Sequence, residues 1–290
     1  MSEGLIDTGA VYRLRNFTFR IPSRFKGARA GIHKSLHRGI SPDFLEYKEY
    51  SQGDDIRHID WRLYARLDRL YVKKYENEVS INWCLLIDRS GSMGYGSGDG
   101  CKLEFARRLA ATLAYLLIKQ GDSVGVADFA DHEIDLLTPR FGTPALTPII
   151  EKLKSLNPSG TTSFKEPIQK IIERTKANTV FVVISDFLTD LPSIEESLKL
   201  IRSSRKGAIA LHVVDKEEID FNFDGSIEFE GMEENQRILV DASSIRKSYR
   251  RKIEEFIRNL ELICHQNYSR YLLSPTHYPI EDVLIQIASR

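Results

Sequence analysis

The stretch that decides the fold is Trp83-Cys84-Leu85-Leu86-Ile87-Asp88-Arg89-Ser90-Gly91-Ser92. It begins with a continuously apolar run, which is typical of a strand covered on both faces of a parallel sheet. A loop rich in Gly and Ser follows, and a helical pattern begins near Lys102. In an open α/β sheet, ligands bind in the crevice beyond the carboxyl ends of the strands. The stretch therefore predicts a ligand-binding loop at that edge of a sheet.

Strand and helix patterns alternate along the rest of the chain. The predicted strands are Asn82–Asp88, Ser123–Phe129, His132–Leu137, Thr179–Ser185, Ala208–Val214 and Tyr268–Leu273. The predicted helices are Lys102–Gln120, Pro144–Leu156, Phe164–Lys176, Ile194–Ser203, Ser243–Ile263 and Ile280–Ala288. Polar and apolar residues alternate in 132–137, which indicates an antiparallel edge strand. The pattern as a whole predicts an α/β fold, with a mainly parallel sheet and helices on both faces.

Two regions differ from this pattern. Residues 1–80 are rich in Arg and aromatic side chains, and we predict an N-terminal extension packed on a domain formed by 81–290. Within it, Leu70–Glu76 is expected to be a strand that leads directly into the main sheet. An acidic segment, 215–236, and a basic stretch, 13–38, are typical of solvated faces or mobile loops. Docking surfaces, or attraction between the two segments, are the alternative.

Composition limits the partners and the compartment. The formal net charge is zero, so a general affinity for nucleic acid or for an anionic membrane is not favoured. The three cysteines lack CxxC spacing, which indicates a reducing compartment without a disulfide framework. We see no secretory signal and no apolar run near the roughly 20 residues that span a bilayer. The sequence therefore predicts a cytoplasmic protein.

Oxygen-bearing side chains follow the predicted strands at positions that suit a metal ion. Carboxylates and hydroxyls are hard donors, which Mg²⁺ or Mn²⁺ accepts and thiol-seeking metals do not. Loops from distant parts of the sequence are expected to converge at one edge of the sheet. The predicted ligands of one divalent cation are Asp88, Ser90, Ser92, Thr161 and Asp186.

These residues resemble the metal-ion-dependent adhesion site of von Willebrand factor A domains, whose pattern is Asp-x-Ser-x-Ser, then Thr, then Asp. Thr162 could serve instead of Thr161. The Gly that often follows the last Asp is Phe187 here, which we expect to alter the loop shape more than the ligand set. The resemblance implies a von Willebrand factor A-like (Rossmann-like) fold and an open coordination position that a partner's carboxylate completes. The alternative reading of 88–92 alone is a capped turn.

A second resemblance lies in residues 41–73. Ser41–Tyr50, Gly53–Trp61 and Ala65–Lys73 are similar to the signature of the domain of unknown function 58 family. This family joins the signature to a von Willebrand factor A-like domain. Its members are commonly associated with MoxR-type AAA+ ATPases, which implies a role as an adaptor or substrate-recognition partner.

The same segment contains a dense mixture of charged and aromatic residues. One hypothesis is a recognition surface for a partner; the residues it would use are Asp54, Asp55, Arg57, Asp60 and Trp61. The alternative is an ion-pair and aromatic network that clamps the extension to the sheet.

Enzyme signatures are hard to find in the chain. We see no phosphate-binding Gly-x-x-x-x-Gly-Lys-Ser/Thr loop, no Gly-x-Ser-x-Gly elbow and no His-Glu-x-x-His pattern. The sequence therefore favours a non-enzymatic, metal-dependent protein-binding module. The alternative is a metal-dependent phosphoester hydrolase, in which Asp88 and Asp186 hold Mg²⁺ against a phosphate. A third class, nucleic-acid binding through the basic stretch, is less favoured because the net charge is zero.

Overall fold

The computed structural model describes residues 4–19, 43–54, 56–76, 81–96, 100–131, 133–231 and 237–288. Contacts divide the chain into two compact units, one formed by Met1–Ala28 with Ile81–Arg290 and the other by Arg29–Ser80. The sequence placed a single boundary at residue 80. The division found here differs because the start of the chain belongs to the larger unit.

The helices and strands are numbered in chain order. The strands are β1 Asp43–Glu49, β2 Tyr71–Glu76, β3 Asn82–Asp88, β4 Ser123–Ala130, β5 Glu133–Phe141, β6 Thr179–Ser185, β7 Gly207–Val214, β8 Ser226–Glu230, β9 Arg237–Asp241 and β10 Arg270–Pro275. The helices are α1 Thr8–Arg13, α2 Trp61–Leu67, α3 Lys102–Gln120, α4 Leu146–Ser155, α5 Lys165–Arg174, α6 Leu191–Ser203, α7 Lys216–Asp220, α8 Ala242–Gln266 and α9 Ile280–Ala288.

The larger unit is built on a sheet of six described strands in the order β10-β7-β6-β3-β4-β5. Its strands run parallel except β5, which pairs antiparallel with β4. This confirms the predicted mainly parallel sheet and the antiparallel edge strand. β3 lies between β4 and β6 as a central strand, and its residues from Trp83 to Asp88 are all buried, as its apolar sequence indicates.

Each face of the sheet carries its own apolar core, and β3 supplies both by alternation. Trp83, Leu85 and Ile87 face a core that includes α1, α3, α4 and α9. Cys84 and Leu86 face a second core with α5, α6 and α8. Burying one such Leu or Ile side chain contributes about 1.5–3 kcal/mol. The helices therefore lie on both faces, as predicted.

The start of the chain packs on the larger unit through α3. Leu14 and Phe19 are buried in the first core. Phe19 also bonds through its backbone to the side-chain amide of Gln120, with both hydrogen bonds 2.8 Å long. Residues 4–19 of the predicted extension therefore pack within the larger unit.

The smaller unit contains an antiparallel pair, β1 and β2, and the helix α2. The sequence predicted that Leu70–Glu76 would lead directly into the main sheet. The strand is confirmed as β2 and is followed along the chain by β3 of the main sheet, but β2 itself pairs with β1 in a separate two-stranded sheet. Strand pairing depends on partners remote in sequence, which the local pattern of β2 does not reveal.

The acidic segment is more ordered than its composition suggests. It forms α7 and β8, and β8 pairs antiparallel with β9, which follows the segment; residues 232–236 lie outside the described part of the chain. Phe221 anchors the segment, because its buried ring lies 4.4 Å from that of Tyr249 on α8. Along the described chain, no helix is both long and apolar enough to cross a membrane.

Candidate functional site

Aspartates follow four neighbouring strands at the carboxyl edge of the sheet. Asp88 ends β3, and Asp131, Asp186 and Asp215 come directly after β4, β6 and β7. Because these strands run parallel, their carboxyl ends lie at one edge. The edge therefore concentrates negative charge where α/β sheets bind ligands.

Asp88 is fully buried, and both of its oxygens accept hydrogen bonds. Oδ1 accepts from the backbone N–H of Ser90 at 2.9 Å, and Oδ2 accepts from the hydroxyl of Ser185 at 2.6 Å. Burial and the negative charge of Asp186 nevertheless raise the pKa of Asp88 to about 7. Both donors are neutral, so these hydrogen bonds do not balance the negative charge of the Asp88 carboxylate.

Ser90 and Ser92 place two buried hydroxyl oxygens side by side. Their Oγ atoms share a hydrogen bond and lie 3.1 Å apart. Oxygen ligands lie about 2.1 Å from Mg²⁺ in an octahedron, which puts neighbouring ligands about 3.0 Å apart. The serine pair therefore has the spacing of two adjacent ligands of a small divalent cation.

Asp186 is held by a lysine that the sequence did not single out. Its Oδ1 accepts from the backbone N–H of Leu188 at 3.2 Å, and its Oδ2 accepts from Lys102 Nζ at 2.7 Å. Lys102 Nζ also donates to Glu218 Oε1 at 2.7 Å. Burial alone would lower the pKa of Lys102, but the two carboxylates outweigh it and raise that pKa. Lys102 is therefore a charged ammonium buried at the site.

Thr161 points to a different partner. Its backbone N–H and its hydroxyl both donate to Asp131 Oδ1 at 2.7 Å. The structure thus brings Asp88, Ser90, Ser92 and Asp186 to one edge but places the Thr161 side chain on Asp131. Whether Thr161 or the adjacent Thr162 acts as a ligand stays a prediction.

Backbone hydrogen bonds tie together the loops that carry these residues. The N–H of Gly91 donates to the carbonyl of Gly160 at 2.9 Å, and the N–H of Asp131 donates to the carbonyl of Thr161 at 2.8 Å. The N–H of Ser159 donates to the carbonyl of Arg89 at 2.7 Å. Gly160 has φ +76°, and a Cβ there would clash with the Asp131 carboxylate. The position therefore requires glycine.

Phe187 holds the loop after Asp186 in a left-handed conformation, with φ +54°. Its N–H donates to Ser185 Oγ at 2.8 Å, and its ring stacks on Phe164 at 5.3 Å. We expected Phe187 to alter the loop shape. Phe187 adopts a backbone conformation that glycine takes without strain, and aromatic stacking holds it there. The altered loop shape stays a prediction.

In the smaller unit, two of the predicted recognition residues support local structure. Asp54 accepts from Lys48 Nζ at 2.9 and 3.0 Å and from the N–H of Ser51 at 2.9 Å. Asp60 caps the first turn of α2 and accepts from the hydroxyl of Tyr47 at 3.0 Å. These contacts all lie within the smaller unit, so a network that clamps the extension to the sheet stays a prediction.

The other predicted recognition residues are exposed or lie outside the residues that the structure describes. Trp61 is 64% exposed and contacts Tyr64 edge-on, with 6.2 Å between ring centroids. Arg57 is also exposed, and Asp55 is outside the described residues. Exposed aromatic and Arg side chains are typical of interfaces, so recognition by these residues stays a prediction.

Sequence reasoning missed Lys102, Glu218, Ser185 and Asp131. Lys102 gave one usable signal, because a lysine at the first position of a helix opposes the helix dipole. Glu218 gave no such signal, because it is one of many acidic residues in the segment 215–236. Among the described residues, no three His, Cys, Asp or Glu side chains form a metal-binding group. A cation here would therefore depend on hydroxyls and water for most of its ligands.

Several solved structures are similar to this chain. An aerotolerance-related membrane protein from Bacteroides fragilis is 18% identical, with 72% of this chain and 96% of that chain covered and a TM-score of 0.51. BatB from Bacteroides thetaiotaomicron is 15% identical, with 72% and 97% covered and a TM-score of 0.48. The SpRpn10 VWA domain is 12% identical, with 72% and 95% covered and a TM-score of 0.43. The first of these similarities shows the shared fold, and the predicted von Willebrand factor A-like class is confirmed.

A family model places the chain in a family, and sequence relatives are similar to it. An uncharacterized protein of Mycobacterium tuberculosis is 22% identical over 210 residues, and the match covers 71% of this chain but 66% of the relative. Uncharacterized protein YeaD of Bacillus subtilis is 25% identical over 130 residues, 44% of this chain and 31% of the relative. The model of the family described as protein of unknown function DUF58 matches residues 46–257, so the chain belongs to that family.

Proposed function

We propose that this chain is a non-enzymatic protein-binding module that uses a divalent cation, Mg²⁺ or Mn²⁺, to bind a carboxylate of a protein partner. The cation would be held directly or through water by Asp88, Ser90, Ser92, Asp186 and Thr161. The chemistry that the cation supplies is a charge-assisted bond to the partner's carboxylate at an open coordination position.

The observation that carries this proposal is the buried carboxylate of Asp88 beside the serine pair. Its neighbour Asp186 repels it, and the ammonium of Lys102 is already shared between Asp186 and Glu218. A divalent cation would balance this charge. The spacing of Ser90 and Ser92 suits the same ion.

The partner is proposed from the family resemblance. A MoxR-type AAA+ ATPase would supply energy, and this chain would act as its adaptor. The surface around Asp88 would then bind the ATPase or its substrate. The cytoplasmic location stays a prediction, as do the whole protein's activity and substrates.

Calorimetric titration of Mg²⁺ and Mn²⁺ into chelator-stripped protein tests the cation. We expect one saturable site that becomes about tenfold weaker or more in Ser90→Ala. Ser197→Ala is the matched control, because Ser197 is also buried but its hydroxyl donates within α6, to the carbonyl of Ser193 at 2.8 Å. If neither ion binds wild-type protein, or Ser90→Ala binds normally, the proposal is wrong.

A pull-down with a purified MoxR-type ATPase tests the partner. We expect binding that requires Mg²⁺ or Mn²⁺, is lost with chelator and is lost in Asp88→Ala. If the ATPase still binds in chelator, its binding does not depend on a metal ion, and the proposed mechanism is wrong. The same preparations test the hydrolase alternative against a panel of phosphoesters, where turnover that is lost in Asp88→Ala would favour that alternative.

A further inference from the structure

Lys102 occupies an unfavourable position for a positive charge. It is the first residue of α3 and is completely buried. The amino end of a helix carries a partial positive charge, which disfavours a cation. Moving an ammonium out of water costs several kcal/mol unless carboxylates surround it. Something other than helix stability must therefore account for a charged lysine here.

The two carboxylates that hold Lys102 come from separate parts of the sheet edge. Asp186 follows β6, and Glu218 lies on α7, which follows β7. The other oxygen of Glu218 accepts from the backbone N–H of Asp215 at 2.7 Å and thereby closes the amino end of α7. One ammonium thus links the proposed metal ligand Asp186 to the position of α7.

We propose that Lys102 determines the cation affinity of the site and that Glu218 controls how strongly Lys102 does so. This inference rests on the proposed function. Lys102 acts as an internal cation that neutralises Asp186 and competes with a divalent ion for its charge. Glu218 draws the same ammonium toward α7 and leaves more of the charge of Asp186 for the ion. A partner that displaces α7 would therefore lower the cation affinity, and by linkage the cation would resist that displacement.

A lysine elsewhere in the unit provides a matched comparison. Lys152 on α4 is buried and forms ion pairs with Asp128 and, at 2.7 Å, with Asp135. Neither carboxylate belongs to the proposed ligand set. A purely structural role for buried lysines predicts that Lys102→Met and Lys152→Met behave alike.

The first experiment is calorimetric titration of Mn²⁺ into wild-type protein, Lys102→Met and Lys152→Met. We expect Lys102→Met to bind Mn²⁺ about tenfold more tightly than wild type, and Lys152→Met to stay within about twofold. Wild-type or weaker affinity in folded Lys102→Met overturns the inference and leaves the proposed function standing. If neither wild type nor Lys102→Met binds Mn²⁺, the proposed function itself fails.

Glu218→Gln provides a test that does not require the loss of a buried lysine. We expect about fivefold weaker Mn²⁺ binding in Glu218→Gln, and little further change when the same substitution is added to Lys102→Met. Unchanged affinity in Glu218→Gln overturns the inference. An equal loss in both backgrounds also overturns it, because Glu218 would then act on the ion without Lys102.

Thermal unfolding gives a readout that is independent of affinity. In chelator, Lys102→Met leaves Asp186 and Glu218 without their ammonium, so we expect a lower midpoint that Mg²⁺ restores. The lower midpoint of Lys152→Met should not recover with Mg²⁺. Equal recovery, or none, in the two variants contradicts the special role of Lys102.

Discussion

Lys102 and Lys152 are both buried between two carboxylates, yet their surroundings differ in charge balance. Asp128, the buried partner of Lys152, also accepts from Arg89 Nε at 3.0 Å, while the second partner, Asp135, is 77% exposed. Two cations therefore serve one buried carboxylate. At Lys102 the reverse holds, because one ammonium serves two shielded carboxylates. A buried ion pair is common to both lysines. What distinguishes the candidate site around Lys102 is an excess of buried negative charge.

The largest expected effect comes from removing one carboxylate from each lysine, because the carboxylates differ in burial. Asp186→Ala removes a partner from a completely buried ammonium, so we expect the free energy of unfolding to fall by about 3–5 kcal/mol. Asp135→Ala removes a largely exposed partner and should lose about 1 kcal/mol or less. Urea denaturation in chelator measures both values. Similar losses would show that the two clusters do not differ in this respect.

His212 sharpens the comparison, because it is a buried base next to the same edge. Burial outweighs the attraction of Asp186 and lowers the pKa of His212 to about 4. The unfolded chain, with an ordinary pKa near 6.5, then takes up a proton that the folded protein does not. The stabilisation is therefore complete above pH 6.5 and is lost as the pH falls toward 4, by up to about 3 kcal/mol.

The measurement for His212 is the free energy of unfolding between pH 4 and 7 in wild type and His212→Gln. Because the other histidines are common to both proteins, the difference in slope isolates His212. Gln keeps an amide that can bond the hydroxyl of Tyr271, which lies 2.7 Å from His212 Nδ1 in the wild type. Parallel slopes would contradict the lowered pKa.

A smaller effect tests the loop that holds Thr161. Gly160→Ala combines a left-handed backbone with a clash against Asp131, so we expect a loss of about 2–3 kcal/mol in the free energy of unfolding. Gly225→Ala is the matched control, because its φ is +74° and its added Cβ meets no described atom within 4 Å. That variant should lose only about 1 kcal/mol of strain energy. Equal losses would mean that the Asp131 contact adds nothing.

The sheet was predictable because its strands are continuously apolar. β3 and β6 were predicted with the bounds that the structure has, and α9 likewise. A strand buried on both faces carries its signal in its own residues. Asp88 and Asp186 could be predicted to lie at the same edge of the sheet, since each lies at the end of such a strand.

The internal cation was not predictable by the same reasoning. Lys102 meets Asp186 and Glu218 across 84 and 116 residues of sequence. A lysine at a predicted helix boundary is usually exposed, and nothing local distinguishes Glu218 from its acidic neighbours. The β1–β2 pairing was not predicted for a related reason, because the partner of a strand is a property of the assembled chain. Contacts of this kind can be predicted only once the topology of the fold is known.

Three of the hydrogen bonds that join the loops of Gly91, Asp131 and Gly160 run between main-chain atoms. No substitution of a side chain deletes such a bond unless proline or a clash intervenes. The frame of the site is thus separable from its chemistry. Side chains at these loop tips could be exchanged, by evolution or by design, to accept a different ion or a different partner while the frame keeps its shape.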